Sequence, residues 1–141
     1  MSNESSGLNA RDVFTVNENV RWVGLVSATG DVMLHTMRPG LKSSSPQEFD
    51  EEFLKLGPMT MLGVAEKYSP YLQEPEAVVV WYGLTALIYS RLGSQVVAIS
   101  VENHQGTISV VRSWLKKKKA ELKTTAPFGV GSHNYEPEPR S

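Results

Sequence analysis

The apolar residues of this chain recur with two spacings, and the change from one to the other marks out its elements. Residues 20–37, "VRWVGLVSATGDVMLHTM", hold two apolar runs around Ala28-Thr29-Gly30-Asp31. Gly30 can take the positive φ that a tight reversal needs, so the segment predicts a β-hairpin of strands 20–27 and 32–37. Before it, Asn9 is placed to cap a short helix that carries Val13, Phe14 and Val16 to about residue 17. Valine, threonine and asparagine are poor helix formers, so this helix is weak.

Pro39-Gly40 breaks the second strand, and "SSSPQEFDEEFLKLG" then starts a helix. Ser45 is the expected N-cap, Pro46 the first helical residue, and Glu48 the other half of a Ser-x-x-Glu capping box. Glu48, Asp50, Glu51 and Glu52 place negative charge at the positive end of the helix dipole. Phe49, Phe53, Leu54, Leu56, Met59, Met61, Leu62, Val64 and Ala65 continue the apolar pattern toward residue 68. Gly57-Pro58 falls inside it. Proline deletes an amide donor and crowds the preceding turn, so a kink or break is expected there, with the helix stopping before Pro70.

Three apolar runs follow, 76–82, 86–92 and 96–102, separated by "GLT" and "GSQ". These connections are too short for a crossover helix, so the strands form an antiparallel meander. A last helix opens near Thr107, with Ile108, Val111, Trp114 and Leu115 at helical spacing before "KKKKAEL". The expected organisation is a disordered N-terminus over 1–7, a folded domain over 8–122 and a disordered tail over 123–141. The order α-β-β-α-β-β-β-α predicts an α+β fold in which a five-stranded antiparallel sheet is sandwiched between helices.

With 141 residues the chain suits one domain. Its net charge of −1 seeks no polyanion, so nucleic acid is not an expected partner. The absence of cysteine excludes disulfides, thiolate metal sites and thiol catalysis, and fits a cytoplasmic address. No window approaches the roughly 18 apolar residues of a membrane span.

Candidate chemistry is sparse. The phosphate-wrapping string Gly-x-x-x-x-Gly-Lys-Ser/Thr does not occur, and "GVGS" near Gly129 reads as linker. His35, His104 and His133 are far apart and never at ligand spacing, so neither a metal nor another cofactor is expected. The acidic residues 48–52 are explained by capping and the dipole, and Lys116–Lys119 reads as a solvated helix end in preference to a phosphate or headgroup site. Trp22, Trp81 and Trp114 suit core or interface packing. Trp22 with His35 also leaves open a pocket for a small ligand.

The hairpin "VRWVGLVSATGDVMLHTM" and the pair "ALIYSRLGSQVVAISVE" resemble the strand–turn–strand patterns of the roadblock/dynein light-chain family, within the profilin-like and longin-like group of folds. "MRPGLK" is also similar to the Met-Arg-x-Gly of an uncharacterised archaeal family of this layout. The resemblance implies a non-enzymatic homodimeric scaffold. In that family the third strands of two subunits join edge to edge and the long helices pack across the dyad, presenting a platform to a protein such as a small Ras-like GTPase. It puts "EAVVVWYG" at the edge, with Val78, Val79, Val80, Trp81, Tyr82, Phe53 and Met59 at the dimer interface. The short first helix and the internal Gly-Pro depart from the family pattern at partner-binding surfaces.

The residues themselves agree in part, because edge strands are usually blunted by lysine, proline or a bulge, and 77–82 has none of these. Three alternatives stay open. The strand is central and buried within one subunit; the domain is a small-molecule sensor of profilin-like or PAS-like form, with its pocket near Trp22 and His35; or it is an enzyme of unrecognised type, marked by a convergent cluster of polar side chains in a deep cleft.

Overall fold

The computed structural model describes residues 8–43, 45 and 47–125. Pro46, the Gly129 segment, His133, the N-terminus expected to be disordered (1–7) and residues 126–141 of the tail expected to be disordered from 123 lie outside the described residues. Strands β1 (Val20–Val26), β2 (Val32–Met37), β3 (Val78–Trp81), β4 (Thr85–Leu92) and β5 (Gln95–Glu102) form one antiparallel sheet in the order β2-β1-β5-β4-β3. Helix α2 (Gln47–Glu66) covers one face, while α1 (Ala10–Phe14) and α4 (Gln105–Thr125) cover the other. The short α3 (Ser69–Leu72) leads from α2 toward β3.

β5 is central and serves both layers. Val97, Ile99 and Val101 pack with Val111 and Leu115 of α4, while Val96 and Ala98 pack with Leu54 and Leu62 of α2. Alternation along a strand sends successive side chains to opposite faces, so a near-continuous apolar run marks a strand covered on both sides. The hairpin turn forms as its sequence requires: Gly30 has φ +92°, and the Ser27 amide donates to the Asp31 carbonyl at 2.8 Å.

Asn9 caps α1 by accepting from the Asp12 amide at 2.9 Å, but the helix ends at Phe14, short of the expected residue 17. Its tail is tied down by Arg38, the arginine of "MRPG", whose guanidinium donates to the carbonyls of Phe14, Asn17 and Val20, each at 2.7 Å. At the start of α4, His104 Nδ1 accepts from the Thr107 amide at 3.3 Å. Histidine thus occupies the N-cap position, ahead of the start expected near Thr107.

Three expectations need correction. Ser45 does not complete a capping box with Glu48 in the described contacts; its hydroxyl donates to the Asp50 carboxylate, which also accepts from Ser43 at 2.7 Å. Pro58 neither breaks nor ends α2, which is helical from Gln47 to Glu66. Leu54, Pro58 and Leu62 form a buried stripe at i, i+4 and i+8, so packing against the sheet holds the helix together across the missing amide. Pro70 likewise sits in the first turn of α3, where no amide donor is needed. Finally, α4 runs through Thr125, past the expected domain boundary at 122.

Candidate functional site

Among the described residues β3 hydrogen-bonds only to β4 within the sheet, which leaves its other edge open there; the reading in which it is central does not hold. The Tyr82 amide donates to the Thr85 carbonyl at 2.8 Å, and Val80 and Val78 are opposite Leu87 and Tyr89 in the same register. Backbone groups along a strand alternate in direction, so 78, 80 and 82 point toward β4, while the amides and carbonyls of Val79 and Trp81 point to the open edge. Side chains alternate in the other sense: Val78 and Val80 pack under α2, and Val79 packs on the α4 side. Trp81 and Tyr82 are half exposed, at 57% and 52%, and Leu84 in the turn is 84% exposed.

Both ends of this strand are clamped. At the entrance, the Glu76 carbonyl accepts from buried Ser90 and from Lys119, both at 2.7 Å. Its carboxylate meets Arg112 at 2.8 Å and Lys116 at 3.8 Å. Arg112, with Lys116 and Lys119 behind it, holds the Glu76 carboxyl below its usual range, while burial lowers the Lys119 ammonium. At the exit, Asn103 Nδ2 donates to the carbonyls of Tyr82 and Gly83 at 3.1 and 3.3 Å.

A solvated helix end, the expectation for the lysine run, misses this role. The missed signal is the i, i+4, i+7 spacing of Arg112, Lys116 and Lys119, which puts three cations on one side of α4. Lys118 lies 5.8 Å from the Trp114 ring centroid and 3.6 Å from Glu121.

The helix residues assigned to the interface are separated. Phe53 and Met59 are six positions apart, about 240° around a helix axis, so they flank the core-facing stripe of α2 from its two sides, and both pack partly buried against the core beneath it. The Phe53 ring packs 6.0 Å from that of Tyr89, a fully buried phenol whose hydroxyl has no hydrogen-bond partner among the described residues and whose pKa burial raises. The outward ridge of α2 is instead Leu56–Thr60–Val64, in which Leu56 and Val64 are 66% and 58% exposed.

Trp22 and His35 do meet, with ring centroids 6.5 Å apart, and together line a cleft of about 300 Å³ with Thr36, Met37, Ser43 and Asp50. A second cleft of about 320 Å³ shares Trp22, Met37, Ser43 and Asp50 but not His35, and extends under the first turns of α2 to Phe53 and Tyr82. No three His, Cys, Asp or Glu side chains among the described residues are grouped to hold a metal ion. No helix among them is long and apolar enough to cross a membrane.

No family model and no curated protein matches the sequence. Solved structures do. MglB, a gliding protein from Thermus thermophilus, is 11% identical with a TM-score of 0.58, over 82% of this chain and 86% of its own. A roadblock/LC7 domain from Streptomyces avermitilis is 16% identical with a TM-score of 0.52, over 78% and 85%. An MglB structure with a tetrameric arrangement is 12% identical with a TM-score of 0.55, over 86% and 96%. At these identities the likeness is one of fold, and it agrees with the strand order and helix layers described above: this chain has the roadblock/LC7 fold.

Proposed function

We propose that the chain is a non-enzymatic homodimeric interaction module, in which the β3 strands of two copies join edge to edge and the outward ridges of their α2 helices flank the dyad. The observation that carries this reading is the open edge of β3, apolar, clamped at both ends and without a lysine, proline or bulge to protect it. A two-fold axis makes such an edge self-complementary. Covering a half-exposed side chain such as Trp81 contributes up to roughly 1.5–3 kcal/mol. The shared fold with a protein seen in a tetrameric arrangement is consistent with self-association.

The joined sheet and paired helices form the platform, and the partner class we assign to it, from the roadblock resemblance, is a small Ras-like GTPase. Light scattering on the purified chain tests the dimer. The wild type is expected at twice its monomer mass in the micromolar range, and Trp81→Lys, which changes a half-exposed position, is expected at monomer mass with its helix content intact. A monomeric wild type at that concentration overturns the reading.

A further inference from the structure

We propose that the cleft beneath the N-terminal turns of α2 binds an amphiphilic organic cation, an ammonium or guanidinium carried on an apolar body. Every lining residue belongs to one subunit, and two of them, Phe53 and Tyr82, also stand at the interface the roadblock resemblance implies. The cleft, about 320 Å³, has a size ordinary for small-molecule sites. Trp22, Met37 and Leu87 give it apolar surface, and Phe53 and Tyr82 add two more aromatic rings.

A local irregularity of β1 shapes it. The pairing of β1 with β5 slips between Val20 and Trp22, leaving Arg21 without a partner on β5. An extra residue of this kind re-aims a side chain. Arg21 and Trp22, neighbours that a regular strand would send to opposite faces, both line the cleft.

Charge then selects the ligand. Arg21 is already neutralised by Glu102, its guanidinium donating to the carboxylate at 2.8 Å. Asp50, on the opposite rim, is hydrogen-bonded only by the neutral hydroxyls of Ser43 and Ser45 in the described contacts, and no cation among the described residues pairs with it. The cleft therefore presents a carboxylate that no side-chain cation among the described residues neutralises, beside three aromatic rings. Ring faces attract cations and do so more strongly where water is partly excluded, whereas an anion would meet both the carboxylate and the negative ring faces. Asp50 also borders the adjoining cleft of about 300 Å³ at Trp22 and His35, which leaves room for the apolar body to extend.

The test is calorimetric titration of the full chain with phenethylamine, with uncharged 2-phenylethanol and with phenylacetate. Phenethylamine is expected to bind at least about tenfold more tightly than either analogue. Asp50→Asn keeps hydrogen-bonding capacity toward the serines but removes the charge, and is expected to lower that affinity by about tenfold or more while thermal stability changes little. Should that variant fail to fold, Tyr82→Leu, at a half-exposed ring, is expected to weaken the same binding. N-acetyl-Phe-Lys-amide distinguishes the source: if it binds as well as phenethylamine, the natural cation is a peptide side chain, and if only the free amine binds, it is a small metabolite. Equal binding of 2-phenylethanol, unchanged binding to Asp50→Asn in a folded protein, or no binding of either cationic probe at millimolar concentration overturns the proposal.

Discussion

The Glu76 carboxylate and the Arg112 guanidinium meet at 2.8 Å between the entrance of β3 and the middle of α4. The edge strand is thereby tied to a helix on the far side of the sheet from α2. The pairing has a predictable pH dependence. Because Arg112 lowers the Glu76 pKa in the folded chain, the stabilisation is present above the unfolded value of 4.5 and is lost as the pH falls through the folded one. Both side chains are exposed, so the effect is local and weakens with added salt. Amide exchange at Val78 and Val80 is expected to quicken relative to β5 in that acid window, and Glu76→Gln is expected to remove the pH dependence. Unchanged relative protection through the titration would contradict it.

The alternating backbone of β3 separates two proline substitutions that the sequence alone treats alike. Val79→Pro removes an amide that points to the open edge, a position where a sheet tolerates proline. Val80→Pro removes an amide bonded to β4, deletes a ladder hydrogen bond and is expected to destabilise the fold. If copies pair through this edge, Val79→Pro yields a folded monomer in light scattering, whereas Val80→Pro lowers the melting temperature markedly. A dimeric Val79→Pro variant would place the contact elsewhere.

Much of this architecture is legible in the sequence because its signals are local. Gly30 marks the hairpin turn, the short "GLT" and "GSQ" links impose the meander, and Asn9 marks the start of α1. Pro58 misleads because its cost is local while the compensation is tertiary: its ring lies in the stripe that Leu54 and Leu62 press onto the sheet. The cleft is only half visible, since Trp22 and His35 lie on one hairpin, whereas Asp50, Phe53 and Tyr82 reach it from distant parts of the chain. The open edge of β3 depends on strand order, which no apolar pattern encodes; the family resemblance supplies it.

At Gly24 a side chain of α2, that of Leu54, presses close onto the sheet. A Cβ built there would lie 2.7 Å from Leu54 Cδ2 and 2.7 Å from Trp22 Cη2, inside any real contact distance. Gly24→Ala therefore forces the helix or the indole to shift, at an expected cost of about 1–3 kcal/mol. Chemical denaturation measures the loss, and a shift in tryptophan emission is expected because the indole borders both clefts. A variant as stable as the wild type, with unaltered emission, would mean that this packing is looser than the distances require.

Arg38 presents the last test, because one planar group serves three carbonyls and also stacks 5.2 Å from the Phe14 ring centroid. Two of those carbonyls, of Phe14 and Asn17, lie at and beyond the end of α1, where helix carbonyls lack intrahelical partners. The third, of Val20, starts β1, so a single side chain sets the angle at which the helix meets the strand. A lysine ammonium reaches one or two such acceptors but cannot reproduce the fork or the stacking. Arg38→Ala is expected to cost about 2–4 kcal/mol and Arg38→Lys roughly half as much, given the usual worth of hydrogen bonds from charged donors. The loss should be local first: amide exchange in α1 is expected to rise toward the unfolded rate while β4 and β5 stay protected. If Arg38→Lys proves indistinguishable from the wild type in both measurements, then the packing of Val13 into the core, and not this guanidinium, holds α1 in place.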